Sequence, residues 1–146
     1  VVNKNNQLLV EEELTDIKQL RSLAVDFLDN GGGSGEEFCD YCQGDRDPRS
    51  SDNPEKAIIS LKNDRETEYK VYIAVQNELV AAYNVLRNRE FARLYPNEGL
   101  TYVEADLKYS DPRTSIDDKS DLKEKLDVIK SLYPQKLSEA EPSKVN

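Results

Sequence analysis

The stretch from Ala57 to Leu94 constrains this chain more than any other, because a short apolar run there turns into one long helical stripe. Ala57-Ile58-Ile59-Ser60-Leu61 is too short for a helix and rich enough in β-branched residues for a buried strand. Asn63-Asp64 then supplies turn and capping chemistry, since both side chains accept hydrogen bonds from nearby amides. From about Glu66 the period becomes that of a helix. Tyr72, Val75, Leu79, Ala82 and Leu86 fall on one face, and Tyr69, Ile73, Val80 and Tyr83 widen it. Such a helix, running toward Tyr95, reaches about 40 Å at roughly 1.5 Å per residue. A surface so apolar must be covered, so the remaining elements are expected to sandwich the strand and its helix.

The flanking segments supply those elements. Val1-Val2-Asn3 and Leu8-Leu9-Val10 read as two strands joined by the turn Lys4-Asn5-Asn6, in which Asn tolerates positive φ. Thr15 or Asp16 can cap a helix striped by Ile17, Leu20, Ala24, Phe27 and Leu28, with Asn30-Gly31 as its left-handed stop. Residues 31–55 are glycine-rich, charged and nearly devoid of apolar side chains, and are expected to form an inserted, mobile loop. Pro96 ends the long helix, and residues 96–118 read as a second loop pinned by Leu100, Tyr102 and Val103. A third, shorter helix is expected from about Ser120, striped by Leu122, Leu126, Ile129 and Tyr133 and stopped by Pro134. Lys136 to Ala140 reads as a last short strand, and the tail after Pro142 is expected to fray. The order β-β-α-β-α-(α)-β predicts an α+β fold: a small mixed sheet with its helices on one face, in a single domain over residues 1–146.

Charge narrows the classes of partner. With 29 acidic against 20 basic residues the net charge is −9, which argues against nucleic acid or an anionic membrane as a partner of this chain. No apolar run is long enough to span a bilayer, and no signal peptide is seen. Methionine is absent, so the chain is expected to be a fragment of a longer product.

Chemistry has few places to reside. Histidine is absent, which removes the commonest general base and metal ligand. Cys39-Asp40-Tyr41-Cys42 is the one reactive pattern, readable as half a zinc site, a redox pair or a local disulfide. Zinc needs two further Cys or His ligands, and the chain has none. A catalytic dithiol needs a lowered thiol pKa, whereas Glu36, Glu37, Asp40 and Asp45 crowd this one with negative charge. A passive Cys39–Cys42 disulfide, or two idle thiols, is therefore favoured over an oxidoreductase. Asp117-Asp118-Lys119-Ser120-Asp121 lacks the glycine and terminal Glu of a calcium loop and reads as an acidic helix N-terminus. Tyr69, Tyr72, Tyr83 and Tyr95 lie on or beside the apolar face and read as packing residues. No metal, cofactor or catalytic residue is expected.

Three segments carry a resemblance. The first is Asn5 to Val10 (NNQLLV) with Leu14 to Lys18 (LTDIK); the second is Ile59 to Arg65 (ISLKNDR) running into Tyr72 to Asn84 (YIAVQNELVAAYN); the third is Tyr133 to Pro142 (YPQKLSEAEP). Together they resemble the periplasmic domain of ExbD-type biopolymer transport proteins of Bacteroidetes, with the insertions at residues 31–55 and 96–118 outside the likeness. The resemblance implies an N-terminal transmembrane helix with a proton-carrying Asp, absent from these residues, that anchors the domain in the inner membrane. It further implies a homodimer working with an ExbB-like proton-channel subunit to energise a TonB-like protein for outer-membrane transport. A TolR-like role in the Tol system is the alternative within the same resemblance. Under it, the uncovered strand Lys136, Leu137, Ser138, Glu139 and Ala140 is the expected partner-binding edge, through main-chain pairing and without catalysis.

Overall fold

A four-stranded sheet organises the molecule in the computed structural model, which describes residues 2–3, 6–11, 17–62 and 69–140. The strands β1 (Val2–Asn3), β2 (Gln7–Glu11), β3 (Ile58–Lys62) and β4 (Leu137–Ala140) lie side by side in that order. β1 and β2 form the expected antiparallel hairpin, with Val2 opposite Leu8, and Asn6 at φ 61° beside the turn. β2, β3 and β4 run parallel, with Leu8, Ile59 and Leu137 in one row and Leu9, Ser60 and Ser138 in the next. Parallel neighbours need helical crossovers, and the chain supplies them between β2 and β3 and between β3 and β4. The α+β class expected from the sequence is the class observed.

Two helices cover one face of the sheet. Helix α1 (Ile17–Leu28) buries Leu20, Ala24, Phe27 and Leu28, and the first half of α2 (Tyr69–Leu94) buries Val75, Leu79, Ala82, Tyr83 and Leu86. These side chains meet Leu8, Val10, Ile59 and Leu61 in one apolar cluster, the alternate residues that a strand presents to a single face. Tyr69 departs from the expected stripe: it begins the helix and is 77% exposed. The proposed turn at Asn63-Asp64, the caps Thr15 and Asp16, and the tail beyond Ala140 lie outside the described residues.

Residues 96–118, expected as a loop, instead contain helix α3 (Tyr102–Ser110). Its start is a complete capping box: the Thr101 hydroxyl accepts from Glu104 N at 3.1 Å, while Glu104 Oε1 accepts from Thr101 N at 3.0 Å. Asn88 Oδ1 of α2 takes a further first-turn amide, that of Val103, at 3.1 Å. Helix α4 (Ile116–Leu132) begins earlier than Ser120 because the Ser115 hydroxyl caps it, accepting from Asp118 N at 3.2 Å. Asp117 and Asp118 fill its first turn, where carboxylates suit the helix dipole. At 17 residues α4 is longer than the 12-residue α1, so the third helix is not the short one anticipated. Nor does it add to the layer on the sheet. Leu122, Leu126 and Ile129 pack with Tyr102 and Ala105 against Phe91, forming a second apolar cluster on the far half of α2.

Candidate functional site: the β4 edge and its anchorage

β4 ends the described sheet on one side. Ile59 N donates to Lys136 O at 2.9 Å, and Ile59 pairs with Leu137 in the parallel register. That pattern turns the amides and carbonyls of Ser138 and Ala140 toward β3 and those of Leu137 and Glu139 outward. Among the described residues the expected partner-binding strand is thus an edge, and its two outward residues carry main-chain groups that no described strand pairs. Residues 57–62, by contrast, offer no edge, because β3 is flanked by β2 and β4. The Leu137 side chain is partly buried against the sheet-side cluster. On the other face Ser138 Oγ lies 3.1 Å from Ser60 Oγ, which also accepts from the Gln7 side-chain amide. The Lys136 ammonium reaches the Glu55 carbonyl.

The turn that aims β4 is held by side chains from elsewhere in the chain. The last carbonyls of a helix lack partners within it, and a glycine in left-handed conformation commonly satisfies them. Here Pro134 follows at once, and Tyr133 stands at φ −131° and ψ 71°, outside the left-handed region, so no glycine-type cap forms and the amide of Tyr133 reaches only Ile129 O. Instead Tyr41 OH donates to Leu132 O at 2.6 Å, and Arg87 donates to Tyr133 O through Nε at 3.1 Å and Nη2 at 2.9 Å. A cation at a helix C-terminus is favoured by the dipole, and Arg87 also lies over the rings of Tyr83 and Tyr102. Tyr83 OH accepts from Lys136 N at 3.1 Å, holding the first residue before the strand.

Behind this turn lies a buried charge network that the sequence reading missed. Arg89 grips the buried Asp29 carboxylate with two parallel bonds, Nη1 to Oδ2 at 2.7 Å and Nη2 to Oδ1 at 3.0 Å. Tyr133 OH donates to the same carboxylate at 2.5 Å, and its ring meets Tyr41 edge-on with centroids 5.5 Å apart. Glu90 is completely buried between Arg89 Nε at 3.3 Å and Arg93 Nη2 at 2.7 Å. Burial by itself disfavours the Arg89 cation, but its bonds to Asp29 and the nearby negative groups more than reverse that, raising its pKa. Burial, and then the bond to Asp29, hold the Tyr133 phenol well above its ordinary value. Burial foremost, helped by Glu55, Glu90, Asp40 and Asp29, pushes Tyr41 up to about 12, so its hydroxyl remains a donor throughout the neutral range. A signal was present in the sequence. Arg87 and Glu90 continue the buried stripe of Tyr83 and Leu86, a place where charge is tolerated only when paired.

The residues between Gly31 and Glu55 form no slack loop. Cys39 and Cys42 are joined in a disulfide, and both are buried, at 3% and 4% exposure. Arg46 Nη1 and Nη2 donate to the Cys39 and Cys42 carbonyls, each at 2.6 Å, so one guanidinium spans both ends of the disulfide ring. The buried Asn30 amide binds the Asp47 and Ser51 carbonyls at 2.8 and 2.7 Å and accepts from Asp47 N at 3.1 Å. The Ser51 hydroxyl donates to Phe27 O at the end of α1. Gly44 approaches so closely that a Cβ there would stand 2.5 Å from the Asp29 carbonyl oxygen. With few apolar side chains, the excursion is fixed by polar bonds to the end of α1, which is why its composition reads as loop. Sulfurs so deeply covered cannot meet a substrate disulfide without local opening.

Among the described residues no cluster of three or more Cys, Asp and Glu side chains is arranged to hold a metal ion, and no helix is long and apolar enough to cross a membrane. Asp117 and Asp118 serve the start of α4, as expected. What the arrangement offers is therefore an open strand edge on a rigidly held turn. No family model, no curated protein and no solved structure matches this chain.

Proposed function

We propose that this chain is the periplasmic domain of an ExbD-like subunit, acting with an ExbB-like proton-channel subunit and a TonB-like protein in energised outer-membrane transport. In this reading the domain is a homodimer anchored in the inner membrane by an N-terminal helix, and it binds partners without catalysis. The observation that carries the reading is the free edge of β4, where the outward groups of Leu137 and Glu139 can pair with an extended segment of the TonB-like partner. It coincides with the C-terminal segment of the sequence resemblance, Tyr133 to Pro142.

The test is a titration of ¹⁵N-labelled domain with peptides tiled across the periplasmic linker of the TonB-like protein. The Leu137 and Glu139 amides are expected to shift. Glu139→Pro removes an outward donor that the domain's own ladder does not use, so it should abolish peptide binding and leave the fold intact. Partner binding that leaves every amide of 136–140 unmoved overturns the edge model.

A further inference from the structure

The C-terminus of α4 has no left-handed cap, and the side chain that takes its Leu132 carbonyl comes from within the disulfide ring, 91 residues away in sequence. We propose that Tyr41 is a positioning residue for the β4 edge: through this one side chain the disulfide-closed loop fixes the direction in which the chain leaves α4, and so governs how well the edge accepts a partner strand. The inference rests on the functional reading above and names the element that regulates that site.

Four observations carry it. Tyr41 lies between Cys39 and Cys42, inside a ring closed by the disulfide and spanned by the Arg46 guanidinium, so its backbone has little freedom. Its hydroxyl bonds Leu132 O at 2.6 Å, and its ring rests edge-on against Tyr133 at 5.5 Å, so it touches the two residues that end the helix. Its own carbonyl accepts from Arg89 Nη2 at 3.3 Å, which ties the ring to the Asp29 network. Only three residues separate Tyr133 from Leu137, so a change of direction at the helix end is passed directly to the strand. Arg87 and Tyr83 hold the same turn from α2, but they belong to a helix already fixed by the core. Tyr41 ties a separate element, the 31–55 excursion, to the helix end that aims the edge, whereas the other tie from that excursion, the Lys136 ammonium on the Glu55 carbonyl, is exposed and acts only after the turn.

The experiment uses the full chain with its disulfide intact and compares wild type, Tyr41→Phe and Tyr41→Ala. Tyr41→Phe keeps the ring and removes only the bond to Leu132, a loss worth about fivefold in a local opening equilibrium. Two readouts are taken: hydrogen exchange of the Ser138 amide, which faces β3, and affinity for the partner-linker peptides. In Tyr41→Phe, Ser138 exchange should rise about fivefold while Leu79 and Ala82 amides stay within about twofold, and peptide affinity should fall by a similar factor. Tyr41→Ala should go further in both; if it fails to fold, Tyr41→Phe still decides. Unchanged Ser138 exchange in Tyr41→Phe overturns the proposal. So does faster exchange with unchanged affinity, since Tyr41 would then be a helix cap and nothing more. If the peptides bind no form of the protein, the functional reading falls, and Ser138 exchange alone decides whether Tyr41 holds the strand.

Discussion

The two halves of α2 are held by different physics. From Val75 to Leu86 the helix presents aliphatic and aromatic side chains to the sheet and α1, and burial of apolar area holds it there. From Arg87 to Arg93 the same helix still buries Phe91 in the second apolar cluster, but beside it stand the buried Arg87 and Glu90 and the partly buried Arg89, with the exposed Arg93 closing on Glu90. Each charge finds a defined partner: the end of α4 for Arg87, Asp29 for Arg89, and Glu90 for Arg93. The apolar half would tolerate other side chains of similar volume, because dispersion and desolvation are not directional. The polar half would not, because a buried charge that loses its partner keeps its desolvation cost. The contrast suits their tasks. The first half builds the core, and the second sets where three remote segments stand: the disulfide loop, α3 and the turn into β4.

The largest loss is expected from Arg89→Ala, which leaves the Asp29 carboxylate buried without its bidentate partner and Glu90 with one cation fewer. Its cost in urea unfolding should be about 3–5 kcal/mol, and a loss near zero would mean that the network is ornamental. Leu79→Ala probes the other half. A fully buried leucine at the centre of the stripe should cost about 2–5 kcal/mol through lost transfer energy and the cavity left behind. A result well below that range would show that the first half is not packed as described.

The smallest effect is expected from the double variant Cys39→Ser with Cys42→Ser. The ring it opens is short, so the disulfide contributes at most about 2 kcal/mol, and the Arg46 fork still binds both carbonyls afterward. The melting temperature should fall by a few degrees. A loss as large as that of Arg89→Ala would transfer the main role in holding the loop from the hydrogen bonds to the covalent link.

Much of the fold was legible because it rests on local rules. Ile58 to Leu61 reads as a buried strand from β-branching, and the Tyr72 to Leu86 stripe as a packed helix from its period. Asn6 beside the hairpin turn and Gly31 after α1 both take the positive φ that their residue types favour. α3 was legible in principle, since Thr101 and Glu104 spell a capping box, but its short stripe of Tyr102 and Ala105 was outweighed by the surrounding Pro, Gly and Asp. The 31–55 excursion was not legible as ordered structure. Its partners are backbone carbonyls, and no residue type in the sequence announces which carbonyl it will meet.

From the sequence alone came the strands, α1 and the stripe of α2 that covers the sheet, because period and propensity act over a few residues, whereas the packing of α4 away from the sheet did not. The sequence also determined that the cysteines could form only a short ring. Tertiary structure alone decided that β4 pairs in parallel with β3 and β3 with β2, because register and strand order depend on contacts between distant segments. It likewise decided that Asp29, Tyr41, Arg89 and Tyr133 meet, spanning from the end of α1 to the end of α4. Hydrogen bonds and ion pairs act over about 3 Å and require a set orientation, so only the assembled fold can say which of many polar groups become partners.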